Sequence, residues 1–280
     1  MGFFNNYYAK NVSIGNNVKY VNNSCAELFK NCGQFNQPFT IQDGIVNTTS
    51  MFSECTFLNS KISIPNSVTH MGSMFYNCTS FNQPVTLSSS ASSTAAMFSG
   101  CSKFNQTVVI PNNVTNMNEM FYNCINFNRP VTMPSNFFMI NGMFNNCVNF
   151  NQSVTIPNYS YNSIYAGIYG LQYMFANCRK FNKPITIPVG VCNISNMFLN
   201  ALNMASNVTI LSTTVNNVVN MFSGAARTCR INVIVPAGST TNTTFFKANS
   251  YPGLMGTSFT WTKTNTYAYN STYNIYLYWV

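Results

Sequence analysis

The sequence predicts an α/β solenoid: about ten stacked 23-residue turns, a parallel β-sheet along one face, short helical or irregular turns along the other, and a β-rich C-terminal cap. Three observations predict it. Met-Phe pairs stand at 51, 74, 97, 120 and 143, with Leu28-Phe29 one period earlier, and after an eight-residue insertion the series resumes at Met174, Met197 and Met221. Between the pairs run short segments such as F-N-Q-P-V-T-L (81–87) and F-N-K-P-I-T-I (181–187), whose last three residues alternate apolar and polar as a half-buried strand does. Proline follows at 65, 111, 134, 157, 188 and 236, ending the strand and turning the chain.

Residues 1–236 form the solenoid, with 1–30 as N-terminal cap and first turn and Val12/Ile14 as a candidate first rung. The inward strand pairs are Phe39/Ile41, Ile62/Ile64, Val85/Leu87, Val108/Ile110, Val131/Met133, Val154/Ile156, Ile185/Ile187, Val208/Ile210 and, last, Val233/Val235. The turn half reads N-N-V-T-N-M-N-E-M-F-Y-N-C at 112–124. There Asn116 with Glu119 forms a capping box for one helical turn, and Val114, Met117 and Phe121 face inward. Glu27, Glu54 and Glu119 are read as solvated or capping groups, and His70 as a variable surface position.

Three columns repeat from turn to turn. Asn36, Asn59, Asn82, Asn105, Asn128, Asn151 and Asn182 make an amide ladder suited to backbone groups at a bend. Thr40, Thr86, Thr132, Thr155, Thr186 and Thr209, with Ser63 and Val109 in the same place, face outward and form a candidate binding face. Cys32, Cys55, Cys78, Cys101, Cys124, Cys147 and Cys178 share one position, which Ala201 and Ala225 take in the last turns. A site that accepts Cys or Ala holds a small apolar side chain, so these are expected as buried free thiols.

Two regions break the pattern. The insertion, 158–173, brings Tyr159, Tyr161, Tyr165 and Tyr169 into one loop, either a contact patch or an Ω-like loop folded on the solenoid edge. Residues 237–280 contain two alternating segments, 258–264 and 273–280, expected as strands that cap the last rung or join a neighbouring chain. Trp261, Tyr276, Tyr278 and Trp279 are the candidate assembly residues.

Composition excludes most chemistry. Four carboxylates and one histidine stand in 280 residues, and only 6% of residues are charged. No nucleotide-binding, zinc-protease or nucleophile-elbow motif occurs, so neither catalytic residues, nor metal ligands, nor a cofactor are expected. The net charge of +9 is spread along the chain without stacking aromatics, which argues against nucleic acid. No run is long enough to insert in a membrane, and the N-terminus M-G-F-F-N-N-Y-Y-A-K-N does not read as a signal peptide.

The segments C-T-S-F-N-Q-P-V-T-L (78–87), I-P-N-N-V-T-N-M-N-E-M-F-Y-N-C (110–124) and I-P-N-S-V-T-H-M-G-S-M-F-Y-N-C (64–78) resemble the BspA-like leucine-rich repeats over roughly residues 12–236. The F-N-Q and V-x-x-M-x-x-M-F elements look like the variant of Mycoplasma-type surface proteins. The resemblance implies a leucine-rich-repeat-like curved solenoid and a non-enzymatic protein that adheres to host molecules or builds assemblies, in bacteria, protists or phage virions. Phe and Met replace Leu at most positions. Without a secretion signal, the expectation leans to a phage virion appendage with a receptor-binding or assembly role, the alternative being a bacterial cell-surface adhesin. The partner is then a protein or glycan on a host or virion surface, with a homo-oligomer forming through 237–280.

Overall fold

The structure, a computed structural model of the chain, describes Tyr8, Lys10 and residues 20–158, 170–225, 231–236, 259–264 and 272–279. The chain forms two compact units, 1–137 and 138–280, taken here one at a time.

In residues 20–137 the turn half is not helical. One 3-10 turn, Val21–Asn23, precedes it, and then each coil makes a ribbon in which alternate amides serve two purposes. Met51, Ser53 and Cys55 donate their N–H to the carbonyls of Thr48, Ser50 and Phe52, three residues back. The intervening amides of Thr48, Ser50, Phe52 and Glu54 donate to His70, Gly72, Met74 and Tyr76, 22 residues on. The same alternation recurs at 25–32, 71–78 and 94–101. It requires two left-handed residues per coil, as at Ser50 (φ 54°) and Glu54 (φ 65°), Ser73 and Asn77, Ala96 and Gly100, and Glu119 and Asn123. Left-handed φ at the third position of a four-residue turn is the type II geometry.

The expected capping box is therefore corrected. Glu119 sits at φ 56°, outside the helical region, and Asn116 Oδ1 accepts the N–H of Asn118, an Asx turn that starts the ribbon. Asn47 and, through their hydroxyls, Ser24 and Ser93 do the same. His70 lies in this column as a parallel bridge between Asn47 and Ser93, so it is an exposed side chain on a paired backbone.

The core of this unit is two columns of rings. Phe29, Phe52, Phe75, Phe98 and Phe121 stack 5.3–5.8 Å apart, within 6° of parallel. Beside them Phe81, Phe104 and Phe127 stack at 6.1 Å. All of these rings are buried, as are Val114 and Met117. Of the inward strand residues Phe39 and Ile64 are only half-buried.

Strands form in fewer coils than the sequence predicts. β1 (Phe39–Thr40) pairs in parallel with β2 (Ile62–Ser63). The equivalent segments 85–87, 108–110 and 131–133 have their first and third residues buried but make no backbone hydrogen bond among the described residues. The unpaired coils share a second ring column: Phe81, Phe104 and Phe127, just before the strand, stack with ring centroids 6.1 Å apart, more than the about 4.7–4.9 Å between neighbouring strands of a sheet. Where β1 and β2 pair, Leu58 takes the place of the second ring.

Residues 138–236 repeat the plan. Phe144, Phe175, Phe198 and Phe222 stack at 5.4–5.8 Å, and Phe150 and Phe181 at 6.1 Å. Segment 154–156, between Phe150 and Phe181, is again unpaired among the described residues. β3 (Ile185–Ile187) pairs in parallel with β4 (Val208–Ile210), and there Met204 replaces the second ring. β5 (Ile231–Pro236) extends this sheet as the expected last rung, with Val208 opposite Val233. Beyond it, β6 (Phe259–Thr264) and β7 (Thr272–Trp279) occupy the two segments read as strands. β7 lies antiparallel to both β5 and β6, giving the order β3-β4-β5-β7-β6. The candidate rung at Val12/Ile14 lies outside the described residues.

Candidate functional site

Each coil is tied to its neighbours by side chains that satisfy backbone groups, and what is left over defines the surface available to a partner. The asparagine ladder is used up in folding. Asn36, Asn59, Asn82 and Asn105 each accept, through Oδ1, the N–H of the next asparagine at 2.8–3.0 Å. In the second unit Asn151 accepts the N–H of Asn182, and Asn182 that of Ala205. The neighbouring column locks it: Gln106 Nε2 donates to Asn82, and Arg129 Nε to the Asn105 carbonyl.

Most hydroxyl columns are also spent. Thr69, Ser92 and Thr115 donate to the carbonyls of Val46, Thr69 and Ser92 in the preceding coil. Thr79 and Ser102 donate in the same way to Thr56 and Thr79.

The cysteine column is spent as well. Cys55, Cys78, Cys101, Cys124 and Cys178 each donate their Sγ–H to a phenylalanine carbonyl of the coil before, at 2.9–3.1 Å. All seven members are free and buried. Burial, which disfavours the thiolate, pushes these five thiols far above the ordinary range. Cys25 rises to about 11 for the same reason. Cys192, half-buried, is the accessible thiol among the described residues.

The outward threonines differ. Thr40, Thr86, Thr132, Thr155 and Thr186 are exposed and Thr209 is half-buried. Among the described residues none of the six hydroxyls has a hydrogen-bond partner. Val109 stands in the same column, 79% exposed. The strands position them: Thr40 is opposite Ser63 on β1–β2 and Thr186 opposite Thr209 on β3–β4. In the unpaired coils the backbone beside Thr86, Thr132 and Thr155 is equally uncommitted. Along each unit this column offers hydroxyls that folding does not use.

The other candidates fare differently. Tyr159, Tyr161, Tyr165 and Tyr169 lie outside the described residues. Trp261 and Trp279 sit in the register rows Trp261–Leu277 and Phe259–Trp279, while Tyr276 and Tyr278 occupy the alternate rows, opposite Thr262 and Thr260. Among the described residues no three of His, Cys, Asp and Glu gather as a metal group would. Glu27 pairs with Lys30 at 2.6 Å, and that hydrogen bond holds its carboxyl below the usual range.

Two sets of positions escape a reading by hydrophobic period. The residue before each column cysteine is left-handed and is Asn at 31, 77, 123, 146 and 177 and Gly at 100. Asn and Gly are the residues that tolerate that region, so their alternation at one site was the available signal. The second set is the Asx and Ser turn column.

The model of the family described as Mycoplasma protein of unknown function, DUF285, matches residues 2–110, 89–185, 110–209 and 134–233. The chain belongs to this family. Among solved structures it is similar to a leucine-rich repeat protein from Bacteroides ovatus, at 19% identity and a TM-score of 0.51, over 67% of this chain and 45% of that one. A leucine rich cell surface protein from Faecalibacterium prausnitzii matches at 20% identity and a TM-score of 0.45, over 70% of this chain and 59% of that one. The chain thus spans less than two thirds of either protein. No curated protein matches it. The first likeness shows the fold: this family member is a leucine-rich-repeat solenoid. No helix among the described residues is long and apolar enough to cross a membrane.

Proposed function

We propose that this protein is a non-enzymatic recognition module that presents its threonine column to a protein or glycan on a cell surface. One observation carries the reading: in each unit, among the described residues, the hydroxyls of Thr40, Thr86 and Thr132, and of Thr155, Thr186 and Thr209, are left unused by folding. A rigid repeat spaces such groups regularly, which suits an extended partner. Kinship with BspA-like repeats and a family named for Mycoplasma support the bacterial-surface version. The test replaces Thr86, Thr132, Thr155 and Thr186 together by Val and probes an array of glycans and purified surface proteins. Binding by the parent chain, lost in the variant at an unchanged melting temperature, supports the reading; binding that survives the change sinks it.

A second reading, a virion appendage assembling through 237–280, draws on a separate observation. β6 is the outermost strand of the described sheet, and an open edge is a template for another chain. Light scattering decides: a trimer or larger closed assembly supports it, and a monomer at all concentrations rejects it.

A further inference from the structure

The charges are not distributed evenly between the two units. All four acids, Glu27, Asp43, Glu54 and Glu119, precede residue 138. Residues 138–280 contain Arg179, Lys180, Lys183, Arg227, Arg230, Lys247 and Lys263 and no Asp or Glu. Low charge overall hides this. The first unit is nearly balanced, whereas the second has no anionic side chain with which to neutralise itself.

Three of those cations belong to one coil. Arg179 and Lys180 are exposed and Lys183 is half-buried. Their backbone is held on both sides, Lys180 N–H donating to Val148 and Arg179 accepting from Asn203, so the side chains project from a fixed corner. Three residues beyond Lys183 stands Thr186, opposite Thr209, with Thr155 one coil earlier. Cations and unused hydroxyls thus stand in the same and neighbouring coils of the unit.

We propose that the 138–225 surface docks an acidic polysaccharide, with Arg179, Lys180 and Lys183 holding its sulfate or carboxylate groups and Thr155, Thr186 and Thr209 meeting its hydroxyls. The inference rests on the threonine-face reading and adds the partner's class. A glycan fits better than nucleic acid because the strand that follows the cations, 185–187, turns out a hydroxyl, Thr186, and no ring on which a base could stack. It fits better than a lipid surface because the exposed large apolar residues described in this unit, Phe138, Tyr173, Val189, Leu202, Leu211 and Val219, fall at different positions of the repeat and not on one insertion face.

The test uses the whole chain and five probes at one ionic strength: heparin, polygalacturonate, dextran, duplex DNA and phosphatidylserine vesicles. Two variants of equal charge change are compared, Lys180→Gln/Lys183→Gln and Lys61→Gln/Lys103→Gln. The expected result is binding to heparin or polygalacturonate but not dextran, weakened by about tenfold in the first variant, given up to ~1 kcal/mol per exposed ion pair, and little changed in the second. Equal weakening in both variants, or DNA bound as tightly as heparin, overturns the proposal in favour of diffuse charge attraction. Retention by vesicles without polysaccharide binding overturns it in favour of lipid. Binding to dextran or a neutral glycan that Thr→Val substitution abolishes overturns this inference while leaving the threonine-face reading intact.

Discussion

The two halves of each coil reverse the roles that their sequences suggest. The turn half, rich in Asn, Ser and Met, carries a hydrogen-bonded ladder through nearly every described coil. The strand half, with its V-T-I signature, is paired among the described residues only at β1–β2 and along β3–β4–β5. Sheet propensity describes what a segment does when a partner lies at sheet distance. In the middle coils the unpaired strand halves follow rings stacked 6.1 Å apart, while the ribbon half closes to normal hydrogen-bond lengths.

The comparison is broken most severely by alkali, because the buried thiols all stand in the ribbon half. Their folded-state pKa is raised by burial, so below about pH 8.5, the ordinary thiol pKa, both states are protonated and stability is fully present. Above it the unfolded chain loses protons that the folded chain keeps, and stability falls by about 1.4 kcal/mol per thiol per pH unit. Urea midpoints measured from pH 8 to 10.5 are expected to fall steeply, and Cys78→Ala to reduce the slope by one proton. A flat profile rejects the buried-thiol ladder.

Next in size is the ring core. Phe98→Ala removes a ring fully buried in the first column and is expected to cost about 3–5 kcal/mol. Val108→Ala, in the unpaired strand half, removes less buried surface and is expected to cost about 1–2 kcal/mol. Denaturant titration of both variants checks the order; equal losses remove the distinction between the halves.

Smaller effects test the ribbon's geometry. Gly100 has φ 78°, and a Cβ added there meets the Asn77 amide. Gly100→Ala is therefore expected to destabilise by about 1–2 kcal/mol, whereas Ala96→Gly, at φ 52°, is expected to be neutral or slightly stabilising in the same thermal melt.

The smallest effect in free energy is the sharpest structurally. Phe104→Leu places the smaller spacer found between β1 and β2 behind Phe81. The amides of Val85 and Leu87, the counterparts of Phe39 and Ile41, which donate to Lys61 and Ser63, are then expected to gain protection from hydrogen exchange. Unchanged exchange shows that the rings do not hold the strands apart.

Much of this was legible because it repeats. A residue type recurring at one position through seven coils reports its own environment, which is how the asparagine ladder and the thiol column can be read before any coordinates. The acid-free second unit is equally plain in the sequence once a boundary near residue 137 is known. Left-handed backbone was legible only as an Asn/Gly alternation, because Glu119, Ser50 and Tyr173 occupy the same conformation without belonging to the residue types that favour it.

The period and the inward Phe, Met and Cys positions were settled by the sequence alone, since each follows from what one side chain can bear in a stacked core. Which strands pair, and that the ribbon rather than the sheet links the middle coils, was decided only in the tertiary structure. Both depend on the distance between residues 22 or 23 apart in the chain, which the packing of whole coils sets and no local alternation of apolar and polar residues encodes.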